Sequence, residues 1–206
     1  MKNKKSLGSL LIGLLLVSAC SLDVDGIFKA NTALEFIQKS IFGSKKIPIN
    51  AGTYNSTISL DDSNNTVDLI IYKSSRDKAK ITFKAPIENI PLDGTWVSVD
   101  ASQTGQPYDV KLAAKKNVEK ENELRKEYEH CTYERCHTEC SGSRENRECH
   151  DVCHTYNGER YVEYYLVHTL WNIKFKLGRS NNFGLANFNG DRHDVSRDYV
   201  YQGSCN

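Results

Sequence analysis

Six cysteines near the C-terminal end of the chain have the type and spacing to do chemistry. Five crowd into 23 positions and include two Cys-x-x-x-Cys pairs, and the sixth is the penultimate residue: Cys131, Cys136, Cys140, Cys149, Cys153 and Cys205. In an oxidising compartment an even number of cysteines is typical of disulfides, whereas free thiols in a reducing compartment are typical of metal or catalytic sites. The compartment therefore decides which chemistry applies.

Histidines and a glutamate lie among these cysteines. On a helix His130, Glu134 and His137 would share one face, and His150 and His154 would lie one turn apart, a spacing that can chelate a transition metal. With free thiols nearby, a mixed zinc site is also an option. We interpret these histidines as solvent-facing members of a polar hairpin and expect no cofactor. A surface copper or zinc site is the alternative.

The N-terminal segment indicates the compartment. Lys2, Lys4 and Lys5 precede an apolar run, residues 7–17, that is too short to cross a bilayer and has the layout of a secretory signal. Leu16-Val17-Ser18-Ala19-Cys20 resembles the lipobox of bacterial lipoproteins. The resemblance implies a signal peptide at 1–19, cleavage before Cys20 and acyl chains on Cys20. Residues 20–31 would then be a lipidated tether, and the acyl chains would attach the protein to a membrane. Ser21 resembles the outer-membrane sorting preference of that family.

Export makes disulfides the expected state, and the pattern between about 115 and 155 predicts what they join. Val118, Leu124, Tyr128 and Cys131 recur at helical spacing, and opposite charges lie one turn apart. The sequence thus predicts an inserted helical hairpin. Its antiparallel helices would join Cys136 to Cys153 and Cys140 to Cys149, leaving Cys131 to pair with Cys205.

The doubled Cys-x-x-x-Cys arrangement is similar to the twin motifs of small disulfide-stapled helical hairpins such as mitochondrial import chaperones. That resemblance covers the cysteine block alone and implies the bridging geometry, not the function. Cross-links across short loops stabilise by about 2 to 4 kcal/mol each, mainly by restricting the unfolded chain.

The rest of the chain predicts a single mainly β domain over residues 32–206. Thr32 and Glu35 form a capping box that predicts a short amphipathic helix over residues 33–42. From Lys46 onward apolar residues recur at every second position, which is typical of half-buried strands. We expect an antiparallel sandwich or open barrel, with a bulge or bend in the long strand at residues 161–177.

Charge and motifs narrow the function. Beyond residue 19 the chain has 24 basic and 26 acidic residues, which is no electrostatic footprint for nucleic acid. Hydrolase elbow, metalloprotease and phosphate-loop motifs do not occur, and we assign no catalytic residue. The sequence favours a membrane-anchored exported lipoprotein, in the outer membrane, that acts as a non-enzymatic binding or scaffold module with an envelope protein partner. The alternative is a metal-binding or redox protein that uses the Cys/His-rich hairpin. The oligomeric state is left open.

Overall fold

The computed structural model describes residues 21–40, 43–142, 147–180 and 182–206. The chain is mainly β, as expected, and its large sheet curls into a half-barrel. One short helix, α1 (Ala101–Thr104), and a 3-10 turn (Ile87–Asn89) occur among the described residues. The strands are β1 (Leu22–Ala30), β2 (Leu34–Ser40), β3 (Gly43–Ile49), β4 (Gly52–Asp61), β5 (Thr66–Tyr72), β6 (Lys78–Lys84), β7 (Val97–Val99), β8 (Asp109–Lys120), β9 (Arg125–Ser141), β10 (Glu148–Arg179) and β11 (Asn182–Gln202).

The large sheet has the strand order β6-β5-β4-β1-β11-β10-β8-β7, with β9 also paired to β10. β1 therefore lies in the middle of the sheet, between β4 and β11. Gly26 of β1 lies opposite Gly190 of β11. A Cβ atom on either glycine would fall within 2.7 Å of the Phe188 ring. The two glycines leave the space that this buried ring fills.

The core contains residues of both the large sheet and the small β2–β3 sheet and follows the period-two pattern of the sequence. Alternate residues of β5, β6 and the inner half of β10 are buried, because successive side chains of a strand point to opposite faces. β4 and β8 each also have a run of three consecutive buried residues, 56–58 and 112–114. Phe83 and Phe175 meet edge to face at 5.2 Å between ring centroids. Phe36 contacts Phe83 in the same way at 6.0 Å.

β2 and β3 form a separate two-stranded sheet that covers this core. The helix expected over 33–42 is wrong for residues 34–40, which form β2, and residues 41–42 lie outside the described residues. Gln106 holds the small sheet to the large one. Its side-chain oxygen accepts a hydrogen bond from the Ile37 amide at 2.8 Å, and its amide nitrogen donates to the carbonyls of Ile37 and Thr82. Burying Phe36 in the core overrides the local capping signal.

The expected tether is also corrected. Residues 22–30 form β1, and Val24 and Phe28 are fully buried. Their alternation with exposed residues is the same strand signal as elsewhere. The expected signal peptide at 1–19 and Cys20 lie outside the described residues. No helix in the described part of the chain is long and apolar enough to span a membrane.

The expected helical hairpin at 115–155 is wrong. β8 and β9 pair in turn with the same edge of β10, so the whole insertion is a β-hairpin. Residues four apart share a face in a strand as well as in a helix, so the cysteine and charge spacings fitted both structures. Cross-strand pairing with β10 decides the outcome against the helical propensity of the glutamates, lysines and arginines. A register shift does occur beside the long strand, between Glu163 and Tyr164, but the extra residue, Val200, lies on β11 and not within residues 161–177.

Candidate functional site

The arm is the outer part of the β9–β10 hairpin, residues 131–141 and 148–158, where the two strands pair only with each other among the described residues. No described residue of the arm is fully buried. A two-stranded ribbon without a core is marginally stable in water. The arm therefore needs stabilisation from a source other than apolar burial.

Three disulfides supply it, and they join the pairs expected from the spacing: Cys136–Cys153, Cys140–Cys149 and Cys131–Cys205. The first two link residues that face each other directly in the ladder, with Cα atoms 4.0 Å apart. So short a separation is typical of the non-hydrogen-bonded pairs of an antiparallel ladder, where side chains approach most closely.

The third disulfide ties the end of the chain to the arm. Cys131 lies opposite Gly158 of β10, and residues 203–206 run along the other edge of β10. The amides of Glu159 and Asn206 each donate to the other's carbonyl, at 3.1 and 3.3 Å. A Cβ atom at Gly158 would lie 2.4 Å from the Asn206 carbonyl oxygen. Gly158 is what allows the chain end to approach this closely.

The two faces of the arm differ in chemistry. Ring stacking and a cation–π contact make one face, which we call the aromatic face: Tyr133, Arg135, His137, His154 and Tyr156. Tyr133 and Tyr156 stack at 5.7 Å between centroids, and the guanidinium of Arg135 lies 5.1 Å from the centre of the Tyr133 ring. The opposite face carries the two disulfides of the ladder and short polar side chains, including a hydrogen bond from Thr138 to Asp151.

The five candidate metal ligands do not converge. His130 and Glu134 lie on the disulfide face, whereas His137, His150 and His154 lie on the aromatic face, because residues an odd number apart on a strand point to opposite sides. The rings of His137 and His154 stack at 5.6 Å, and Nε2 of His137 is 2.9 Å from Oε1 of Glu139. No group of three or more ligating side chains able to hold a metal ion occurs in the described ranges.

A network of charges secures the base of the arm. Glu129 receives hydrogen bonds from Arg160 and Arg197 at 2.8 Å each and from the Tyr199 hydroxyl at 3.0 Å. Arg160 above all, with help from Tyr199 and Arg197, lowers the pKa of the Glu129 carboxyl. Arg197 also pairs with Glu127 at 2.8 Å. The network joins β9, β10 and β11 where the arm leaves the half-barrel.

A second array at the base was missed by sequence reasoning. Nε2 of His168 lies 2.8 Å from Oε1 of Glu121, and Nδ1 of His168 lies 3.1 Å from Nε2 of His193. The hydrogen bond with His168 lowers the pKa of Glu121. His168 and His193 are 25 positions apart, and β10–β11 register alone brings them together. Glu121, His168 and His193 do not line any of the five main cavities found among the described residues.

A cleft of about 460 Å³ lies beside the start of β1. Trp171 lies among its lining residues, and Ser21, which follows Cys20 in the chain, lies at its rim. The apolar lining consists of Leu22, Leu60, Ile87, Ile90, Leu92, Ala114 and Trp171. Four charged residues, Asp62, Glu88, Arg192 and Asp194, also line it, so its walls are of mixed character.

Comparison with known proteins gives no relative: no family model, no curated protein and no solved structure matches the chain. Function must therefore be argued from the geometry of this chain alone.

Proposed function

We propose that this protein is a lipid-anchored protein of the cell envelope whose arm binds a protein partner without catalysing a reaction. One observation supports this most directly: an exposed arm without buried residues is held in one shape by three disulfides. Fixing a surface before binding lowers the entropy lost on association. A binding element profits from such rigidity.

The aromatic face supplies suitable contact chemistry. Tyrosine and arginine are enriched among the residues that contribute most binding energy at protein interfaces, because they combine large contact area with polar groups. Tyr156 is 44% exposed, and Arg135 is also exposed. Tyr133 and His137 flank Arg135 on the same strand face. These neighbouring side chains form a continuous surface that a partner can cover.

The anchor is part of the same proposal. The Leu16–Cys20 segment supports lipidation at Cys20, and three disulfides suit an oxidising compartment outside the cytosol. Acyl chains on Cys20 would hold the half-barrel at the membrane, and Ser21 favours the outer membrane. Metabolic labelling with a palmitate probe would detect the acyl chains. Labelling of the whole chain that disappears in Cys20→Ala is the expected result. Labelling that persists in Cys20→Ala would contradict the anchor.

Photo-crosslinking in intact envelopes tests the binding role. A benzophenone amino acid at Arg135 lies on the aromatic face, and the matched control carries it at Arg76, which is equally solvent-exposed but lies between β5 and β6. We expect a discrete adduct with another protein from position 135 and none from position 76. Absence of the adduct, or the same adduct from both positions, would refute the arm as the binding element.

The alternative, a metal or redox function, rests on the stacked pair of His137 and His154. Neighbouring imidazoles on adjacent strands can bind Cu²⁺ when their nitrogens converge. Titration of the purified protein with Cu²⁺, followed by calorimetry, tests it. Binding that His154→Gln removes and His130→Gln retains would support this alternative over the binding role of the aromatic face.

A further inference from the structure

One edge of the arm is an open hydrogen-bonding template. Since the disulfide pairs of the ladder are non-hydrogen-bonded, the backbone groups of Cys149 and Cys153 point away from β9. Because backbone groups of successive strand residues point to alternate sides, the backbone groups of every odd-numbered residue in this part of β10 also point away from β9. The outward-pointing groups belong to Cys149, Asp151, Cys153, Thr155 and Asn157, and none of them has a backbone partner among the described residues.

Residues 203–206 show that this edge of β10 accepts backbone hydrogen bonds from a neighbouring segment. Glu159 obeys the same alternation, and its outward amide and carbonyl both pair with Asn206. The carbonyl of Tyr161 likewise accepts the amide of Gly203 at 2.8 Å. Along the same edge, the outward-pointing backbone groups from Glu148 to Asn157 have no such partner among the described residues. Such an unpaired edge is a site for strand addition.

We infer that a second copy of this chain fills the edge, so that two arms pair antiparallel through their β10 strands around a two-fold axis at Val152. In that register Asp151 of one copy forms hydrogen-bonded pairs with Cys153 of the other, and Cys149 does so with Thr155. Both members of each pair carry outward-pointing backbone groups, as a ladder requires.

Side chains favour this register. Val152 meets its own copy on the axis, and His150 faces His154 on the aromatic side. A register with the axis at Asp151 would place two carboxylates directly opposite, which is unfavourable. With the axis at Val152, paired residues extend to Asn157, and the next position is already taken by Asn206. The contact is isologous and closed, because each copy contributes the same strand.

The result goes beyond the binding role proposed above. Two arms joined in this way form a four-stranded ribbon whose aromatic faces lie side by side. Anchoring on a membrane would favour the pairing, since confinement raises the effective concentration of the second copy.

Edge-specific prolines in the full-length protein test the inference. Proline at an outward-pointing position removes a donor from the free edge and leaves the β9–β10 bonds intact. Thr155→Pro changes the β10 edge, and Glu134→Pro changes the outer edge of β9 at the same level, because Glu134 and Thr155 are cross-strand partners. A benzophenone amino acid at His150 reports self-association as a crosslinked dimer in intact envelopes.

We expect a crosslink between two copies whose yield falls about tenfold with Thr155→Pro, the effect of losing about 1.4 kcal/mol of pairing, and stays within about twofold with Glu134→Pro. Peptide mapping under non-reducing conditions checks that both variants keep their three disulfides. If Thr155→Pro fails to form them, a variant extended after Asn206 by six alternating threonines and valines replaces it. That extension would continue the chain's own ladder, block the edge and lower the yield equally.

Three results would overturn the inference: no crosslink between copies, a crosslink to a different protein alone, or equal losses in Thr155→Pro and Glu134→Pro. The binding role is tested separately: it is refuted if position 135 gives no adduct with another protein. A crosslinked dimer without that adduct would support the edge pairing and refute the proposal that the arm binds another protein.

Discussion

Cys131 and Cys205 lie on opposite sides of β10, and their disulfide joins residues 74 positions apart beside Gly158. The bond makes the last residues of the chain part of the base of the arm.

Gly158→Ala will displace the chain end. Its Cβ would fall 2.4 Å from the Asn206 oxygen, which is backbone and cannot rotate away. We expect a loss of about 1 to 3 kcal/mol in the free energy of unfolding and incomplete formation of Cys131–Cys205, measured by denaturant unfolding and thiol titration. Gly184→Ala is the control, because its nearest neighbour is a side-chain oxygen at 3.2 Å. Equal behaviour of the two variants would contradict the close approach.

Removing Cys136 and Cys153 together, as serines, will loosen the arm and leave the half-barrel folded. The bond closes a loop of 17 residues, for which restriction of the unfolded chain contributes about 3 kcal/mol. Hydrogen exchange should accelerate at amides of the arm and stay unchanged in β4 and β5, whose contacts do not involve it. Faster exchange throughout the protein would show that arm and half-barrel unfold as one unit.

Acid will weaken the base of the arm through Glu129. Arg160, Tyr199 and Arg197 lower the pKa of this carboxyl in the folded state, so its contribution to stability is present above the unfolded pKa. As the pH falls below about 4.3 and passes through the folded pKa, that contribution is lost. Unfolding free energies measured from pH 7 to pH 3 should therefore fall more for the unmodified protein than for Glu129→Gln.

Glu134→Gln serves as the control for that titration. Glu134 is exposed and forms none of the ion pairs found among the described residues. Its substitution should leave the acid limb of the curve unchanged. If Glu129→Gln also leaves the fall in unfolding free energy between pH 7 and pH 3 unchanged, the charge network around Glu129 does not contribute to the stability of the fold.

Gln106→Leu will weaken the attachment of the small sheet to the large one. The substitution leaves the amide of Ile37 and the carbonyls of Ile37 and Thr82 without their partner. Each unsatisfied buried group costs about 1 to 3 kcal/mol, and we expect a loss within that range or above it in chemical denaturation. Gln38→Leu, at an exposed position of β2 next to Ile37, is the control and should change the free energy of unfolding by less than about 0.5 kcal/mol.

Much of the body could be predicted from the sequence because its alternation is strong. Val67, Leu69 and Ile71 are fully buried on one face of β5, as the period of two requires. The same signal in residues 22–30 was obscured by the expectation of a tether. Thr32 and Glu35 carried a real helix-start pattern, but burial of Phe36 against Phe83 and Tyr108 contributes more than a cap.

The candidate site divides in the same way. Even number, spacing and an oxidising compartment were enough to expect Cys136–Cys153 and Cys140–Cys149, because residues four apart share a face in either kind of hairpin. The histidines were assigned to common faces with helical geometry, and strand geometry separates His130 from His137. No local pattern could join His168 to His193, since their contact depends on strand register.

By itself the sequence determined most strands of the half-barrel from β4 onward and the partners of the cysteines, because hydrophobic periodicity and cysteine spacing are properties of neighbouring positions. Only the tertiary structure decided that the insertion is a β-arm, that residues 22–30 lie at the centre of the sheet, and that one edge of the β10 part of the arm has no backbone partner among the described residues. Those outcomes depend on pairing between segments far apart in the chain, and the free energy of such pairing is not encoded in any single window of residues.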